Sequence, residues 1–163
     1  MKNIILMLLF LTTSMAGTVL AEDSPTPTAE TLVPVRQQVQ KGRIIVKVTG
    51  LRSTNGDLIV ALFNSKQGFP VKMDKAVRKL VVSAEGTTHE AVIDDVPYGS
   101  WAVSVQHDEN RSGKLDTNFL GMPKEGVGAS NNPRSRFGPP SFDAAKFTLD
   151  KSETEVVINL RYL

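Results

Sequence analysis

A chain of 163 residues that is 40% hydrophobic, 22% charged and 6% aromatic has the composition of one ordinary globular domain. Its 19 Lys and Arg against 17 Asp and Glu leave a net charge of +2. Phosphate binding needs a concentrated basic face, so nucleic acid is not an expected partner. The lack of cysteine removes disulfides, thiolate metal sites and thiol nucleophiles, and two histidines are too few for a His-rich catalytic metal centre.

The N-terminus reads as an address. Met1-Lys2-Asn3 is a short positive start, Ile4 to Leu11 is an apolar run, and Val19-Leu20-Ala21 places small residues at the −3 and −1 positions ahead of Glu22-Asp23. That order predicts a secretory signal peptide over 1–21. The apolar run is far shorter than the ~20 residues that a membrane-crossing helix needs, so no transmembrane segment is expected in the mature chain. Residues 22–41 hold three prolines among Ser, Thr and Gln, and read as a flexible Pro/Thr-rich linker. The domain then runs over 42–163, and the expected location is exported, periplasmic or extracellular.

From Gly42 onward the hydrophobic period is two. Ile44, Val46 and Val48 mark a half-buried strand, and Leu58 to Phe63 a second, with Asn55-Gly56 between them as a hairpin signal. Val77–Ser83, Thr88–Ile93 and Trp101–Gln106 follow, the last with Trp101, Val103 and Val105 on one face. Ala145–Leu149 and Val156–Tyr162 complete seven strands; Ser65 to Lys75 adds at most a helical turn. Short strands with Gly- and Pro-rich punctuation predict an all-β fold, a seven-stranded antiparallel β-sandwich. Its exception is a long loop insertion at about 107–143 that lacks apolar alternation. Insertions of that length in a compact domain usually carry function.

That insertion opens H-D-E-N-R-S-G-K-L-D-T-N. Asp108, Asn110 and Ser112 alternate, Gly113 follows, Leu115 is apolar, and Asp116 stands ninth from Asp108. This is the spacing of a calcium loop of the EF-hand type through its ninth position. Calcium takes six to eight hard oxygens, alternate side chains of a curled loop can converge on one point, and a glycine permits the sharp turn. Asp108, Asn110, Ser112, the Lys114 carbonyl and Asp116 are therefore the candidate metal ligands, with calcium favoured over softer metals. The twelfth position is Phe119 rather than Glu and no helices flank the loop, so Glu125 or Glu109 would have to supply a further carboxylate. The competing expectation is a turn whose Asx side chains bond their own backbone amides without metal.

Other chemistry is sparse. A hydrolytic site would have to use His107 with Asp108 or Glu125; a histidine at a strand end more often orients a loop by hydrogen bonding. Ser130 has no G-x-S-x-G setting. Phe119, Phe137 and Phe142 are placed to pin the insertion to the sandwich by burying aromatic area.

Three stretches carry a resemblance: D-D-V-P-Y-G-S-W-A-V-S-V-Q-H-D-E-N-R-S-G-K-L-D (Asp94–Asp116), G-M-P-K-E-G-V-G-A-S-N-N (Gly121–Asn132) and G-P-P-S-F-D-A-A-K-F (Gly138–Phe147). They resemble the bacterial family catalogued as domain of unknown function 2141, over essentially all of 42–163. The resemblance implies an exported bacterial protein without an established activity. The V-P-Y-G-S-W-A-V turn is also similar to the P-x-G-x-Y turn of transthyretin-like and carboxypeptidase-regulatory-like sandwiches, with Trp101 in place of the Tyr. Hydroxyisourate hydrolases of that group end in Y-R-G-S; this chain ends Leu160-Arg161-Tyr162-Leu163, so their activity does not carry over. The expectation is a non-enzymatic envelope module, binding or structural, with a calcium-ordered loop and an envelope ligand or protein as partner. The alternative is the envelope hydrolase built on His107.

Overall fold

The computed structural model describes residues 38–135 and 138–163. The expected signal peptide and residues 22–37 of the expected linker lie outside them. Val39 is exposed, and strand β1 opens at Lys41, so only the last linker residue joins the sheet.

Eight strands form two sheets: β1 (Lys41–Thr49), β2 (Asp57–Phe63), β3 (Arg78–Ser83), β4 (Glu90–Pro97), β5 (Gly99–Asp108), β6 (Gly126–Ala129), β7 (Phe147–Leu149) and β8 (Glu153–Asn159). One sheet has the order β4-β1-β8, the other β3-β2-β5-β6, with β7 also pairing the start of β5. The all-β sandwich expectation holds, with eight strands in place of seven. Ile44, Val46 and Val48 of β1, Ile93 and Val96 of β4, and Ile158 of β8 meet Leu58, Val60 and Leu62 of β2 and Trp101, Val103 and Val105 of β5 in one core. Trp101 is buried with Val103 and Val105 on its face, as the alternation requires, and its indole N–H donates to the Pro97 carbonyl at 2.9 Å.

Four expectations need correction. Asn55-Gly56 is not a hairpin turn: β1 pairs with β4 and β8, and β2 pairs with β3 and β5, so the chain crosses between sheets there. Gly56 is required instead by the close approach of the Asp108 carbonyl, which a Cβ would strike. The sandwich is not wholly antiparallel either. β1 and β8 run parallel from Arg43–Glu153 to Thr49–Asn159, because nearly the whole domain intervenes and no short turn dictates their direction. The strand expected over Ala145–Leu149 opens only at Phe147, because Ala145 closes a single helical turn, α1 (Phe142–Ala145), which the Ser141 hydroxyl caps by accepting from the Ala144 N–H at 3.2 Å. Finally, the insertion contains β6. Its glycines hide it from propensity, yet a Cβ on Gly126 would stand 2.6 Å from the Tyr162 ring, and one on Gly128 2.6 Å from Ile158. Close packing against the C-terminal strand sets this composition, and it overrides local preference.

Candidate functional site

The site grows from the end of β5. The sheet carries β5 through His107 to Asp108, so these two residues belong to the strand rather than to the loop. β5 and β6 pair at Gln106–Val127 and His107–Gly126. One step further along that antiparallel ladder, Glu125 comes opposite Asp108, which is how a residue far along the insertion reaches the loop.

All five candidate ligands come together between these strand ends through hydrogen bonds to one another. The Asp108 carboxylate accepts from the Ser112 N–H at 2.9 Å and the Gly113 N–H at 2.6 Å. Gly113 takes φ +73°, which allows the chain to curl around that carboxylate. The Asn110 side-chain amide donates to Asp116 at 2.7 Å, and the Ser112 hydroxyl donates to the Lys114 carbonyl at 3.0 Å. Among the described residues no three His, Asp or Glu side chains stand as a ready-made metal-binding group.

Glu125 sits beneath this ring and is 4% exposed. One carboxylate oxygen, Oε2, accepts from the Gln106 side-chain amide at 2.9 Å and from the Asp116 N–H at 3.2 Å. The other, Oε1, is buried without a hydrogen-bond partner. Burial pushes the Glu125 carboxyl above its usual range, and the charges of Asp108 and Asp116 push the same way against the two hydrogen bonds. Removing an ionised carboxylate oxygen from water without a donor is unfavourable, and a cation reverses that balance. Glu109, the other reserve carboxylate, is already engaged. It accepts from Arg52 and from the Ser53 hydroxyl at 2.7 Å, and Arg52 holds its carboxyl below the usual range. Arg52 also stacks 4.4 Å over the Tyr162 ring and donates to the Lys124 carbonyl at 3.2 Å, tying the loop to the chain's last residues.

His107 is fully buried, and both ring nitrogens are committed. Nε2 lies 2.7 Å from the Asn55 carbonyl and must donate to it; Nδ1 lies 2.7 Å from the Tyr162 hydroxyl, which itself accepts from the Arg52 N–H at 3.1 Å. With Nε2 as the donor to Asn55, the Tyr162 hydroxyl is placed to donate to Nδ1. Asp108 points into its own loop and Glu125 toward Gln106, so neither makes a hydrogen bond to the imidazole. Ser130 is likewise structural: its hydroxyl accepts from the Val103 N–H at 3.0 Å and donates to the Ala145 carbonyl at 2.7 Å.

Next to the loop is a cavity of about 360 Å³, bounded by Met73, Met122, Pro123 and Val127, with Gln106 and Arg161 as polar points on its wall. Gln106 therefore touches both the cavity and Glu125. Phe142 packs edge-on to Phe69 at 5.8 Å and anchors the insertion as expected, whereas Phe119 is 95% exposed and anchors nothing; Phe137 lies outside the described residues. Sequence reasoning missed Gln106, Arg52 and Tyr162, since their roles depend on pairings across 19, 57 and 55 positions.

No curated protein and no solved structure matches the chain. The family model described as "Uncharacterized protein conserved in bacteria (DUF2141)" matches residues 46–157, from within β1 to within β8 and across the whole site. The chain belongs to that family.

Proposed function

We propose that this chain is an exported, non-enzymatic β-sandwich of the bacterial cell envelope, ordered by calcium at residues 108–116, that acts as a binding or structural module through the surface beside that loop. The observation that carries the reading is the buried, unpartnered Oε1 of Glu125 next to Asp108 and Asp116. Three carboxylates, the Asn110 amide oxygen, the Ser112 hydroxyl and the Lys114 carbonyl would supply a hard-oxygen set of the kind calcium takes once drawn onto the ion. Glu125, delivered by β6, takes the place of the closing carboxylate that the loop lacks at Phe119. Calcium would draw Asn110 and Ser112 away from their present partners and fix the wall of the adjoining cavity through Gln106 and Leu115. The non-enzymatic character is supported by His107, whose two nitrogens both serve the fold.

Titration calorimetry of the purified protein with calcium, magnesium and EDTA tests this, together with thermal melts. If calcium binds only the folded state, calcium at ~100 times Kd stabilises the protein by about 2.7 kcal/mol. Asp108→Ala, Asp116→Ala and Glu125→Gln should each abolish that gain while the metal-free variants stay folded. Identical wild-type melts in calcium and EDTA, with no heat of binding, would overturn the calcium reading and leave a metal-free turn.

A further inference from the structure

Directly after the loop the chain makes a narrow finger. Thr117 bridges to Pro123 in antiparallel fashion, and the Asn118 N–H donates to the Met122 carbonyl at 2.9 Å. At the tip the Gly121 N–H donates to the Asn118 carbonyl at 2.9 Å, and the Asn118 side-chain oxygen accepts from the Leu120 N–H at 2.9 Å and the Met122 N–H at 3.0 Å. The turn is thus held by its own backbone and one asparagine. What it displays is unusual. Phe119 is 95% exposed, Leu120 72% and Met122 44%. Single apolar residues on a surface are ordinary, but three on one hydrogen-bonded turn are a concentration of exposed apolar area of the kind that marks an interaction surface.

The charge around the finger indicates which partner. Lys114 and Lys124, just outside the two arms, are exposed, and among the described residues neither ammonium has an ion pair or hydrogen bond. The acidic groups at the finger's base are turned inward, Asp116 toward Asn110 and Glu125 toward Gln106. An apolar tip with free lysines behind it matches the cross-section of an anionic bilayer surface. Aromatic and aliphatic side chains enter the boundary of headgroups and acyl chains, while lysine stems reach the phosphate level. The shape agrees, because a convex tip needs no preformed pocket in a soft lipid surface, whereas a protein partner would need one.

We infer that the Phe119–Met122 finger inserts into the interface of a membrane containing anionic phospholipid, with Lys114 and Lys124 on the headgroups, and docks the domain peripherally. The inference goes beyond the calcium reading and shares with it only Lys114, whose ammonium is used here and whose carbonyl is the candidate ligand there.

Vesicle flotation tests it, using the purified protein with phosphatidylglycerol/phosphatidylethanolamine vesicles and with phosphatidylcholine vesicles, each in calcium and in EDTA. Wild type should float with the anionic vesicles and release in high salt. Because the tip side chains pack against nothing, Phe119→Ser/Leu120→Ser should melt like wild type yet bind roughly tenfold or more weakly, as expected when two large apolar side chains no longer bury. Lys114→Gln/Lys124→Gln should weaken flotation on the anionic vesicles only. No wild-type flotation on either vesicle overturns the inference, as does a tip variant that floats like wild type. A wild-type dimer in sedimentation equilibrium that the tip variant dissolves, without vesicle binding, would reassign the patch to self-association. The two readings fail separately: absent calcium heat with flotation intact in EDTA strikes only the ion loop, and calcium heat without flotation strikes only the finger.

Discussion

On the outer face of the three-stranded sheet, Arg43 pairs with Glu153 and Lys47 with Glu155, each at 2.6 Å and each in water. On the outer face of the five-stranded sheet, Ile59, Ala61 and Phe63 of β2 and Ala102, Ser104 and Gln106 of β5 are all buried. The cover comes from the insertion and from the segment after β2. Phe69 and Phe142 pack on Ala102, Ala129 and Ala145, Phe63 meets Phe69 edge-on at 5.3 Å, and the Ser104 hydroxyl approaches the Met73 sulfur at 3.7 Å. Small residues on β2 and β5 make room for this second layer, whereas the first sheet turns its charged pairs, together with Val92 and Val157, toward water. The difference explains where the site can be. A half-solvated sheet offers no enclosed volume, while a sheet covered on both faces has strand ends, loop and cavity packed against one another.

The largest expected effect breaks what the two sheets share. Trp101→Ala removes the largest ring of the common core and should cost ~3–5 kcal/mol, enough to unfold the domain or lower its denaturation midpoint sharply. An unchanged urea midpoint would show that the faces of β5 are reversed.

A matched pair sharpens the comparison itself. Ala61→Leu adds bulk beneath the covered face and should destabilise by ~1–3 kcal/mol through overpacking. Val92→Leu, on the partly exposed outer face of β4, should leave the midpoint nearly unchanged. Equal effects in urea denaturation would mean that the covering layer does not press on the sheet at Ala61.

The smallest effect concerns the strand end beneath the loop, and its sign follows from linkage. The folded state holds the Glu125 carboxyl above its usual range, chiefly by burial, and so binds that proton more tightly than the unfolded chain does. The favourable contribution is present below the unfolded value and is lost as pH rises through the folded one. Metal-free wild type should therefore lose stability relative to Glu125→Gln between acid and neutral pH, and calcium should erase the wild-type deficit. Parallel pH–stability curves for the two proteins in EDTA would show that Glu125 is not held in this way.

The legibility of the sequence follows the same division. β1 and β8 alternate because one face meets water, and both were readable by period alone. β2 and the first part of β5 were readable too, as apolar runs, and the Trp101 face came out correctly because bulky residues sit only on the inner side. β6 was not readable: two of its four residues are glycines whose reason is the ring of Tyr162 and the side chain of Ile158, residues that follow it by some thirty positions. The turn at Asn55-Gly56 misled for the same reason, since Gly56 answers to the Asp108 carbonyl rather than to a hairpin.

Chain composition and spacing by themselves determined the all-β class, the core face of β5 and the curl from Asp108 to Asp116, because period-two alternation and an Asx–Gly loop are local patterns set by neighbouring residues. Tertiary structure alone decided the parallel pairing of β1 with β8, the cover over the five-stranded sheet, the commitment of His107 to Asn55 and Tyr162, and the arrival of Glu125 beneath the loop. Each of these joins residues whose meeting depends on register and sheet order, and the energy that selects them, burial of apolar area and satisfaction of buried polar groups, exists only once distant segments have packed.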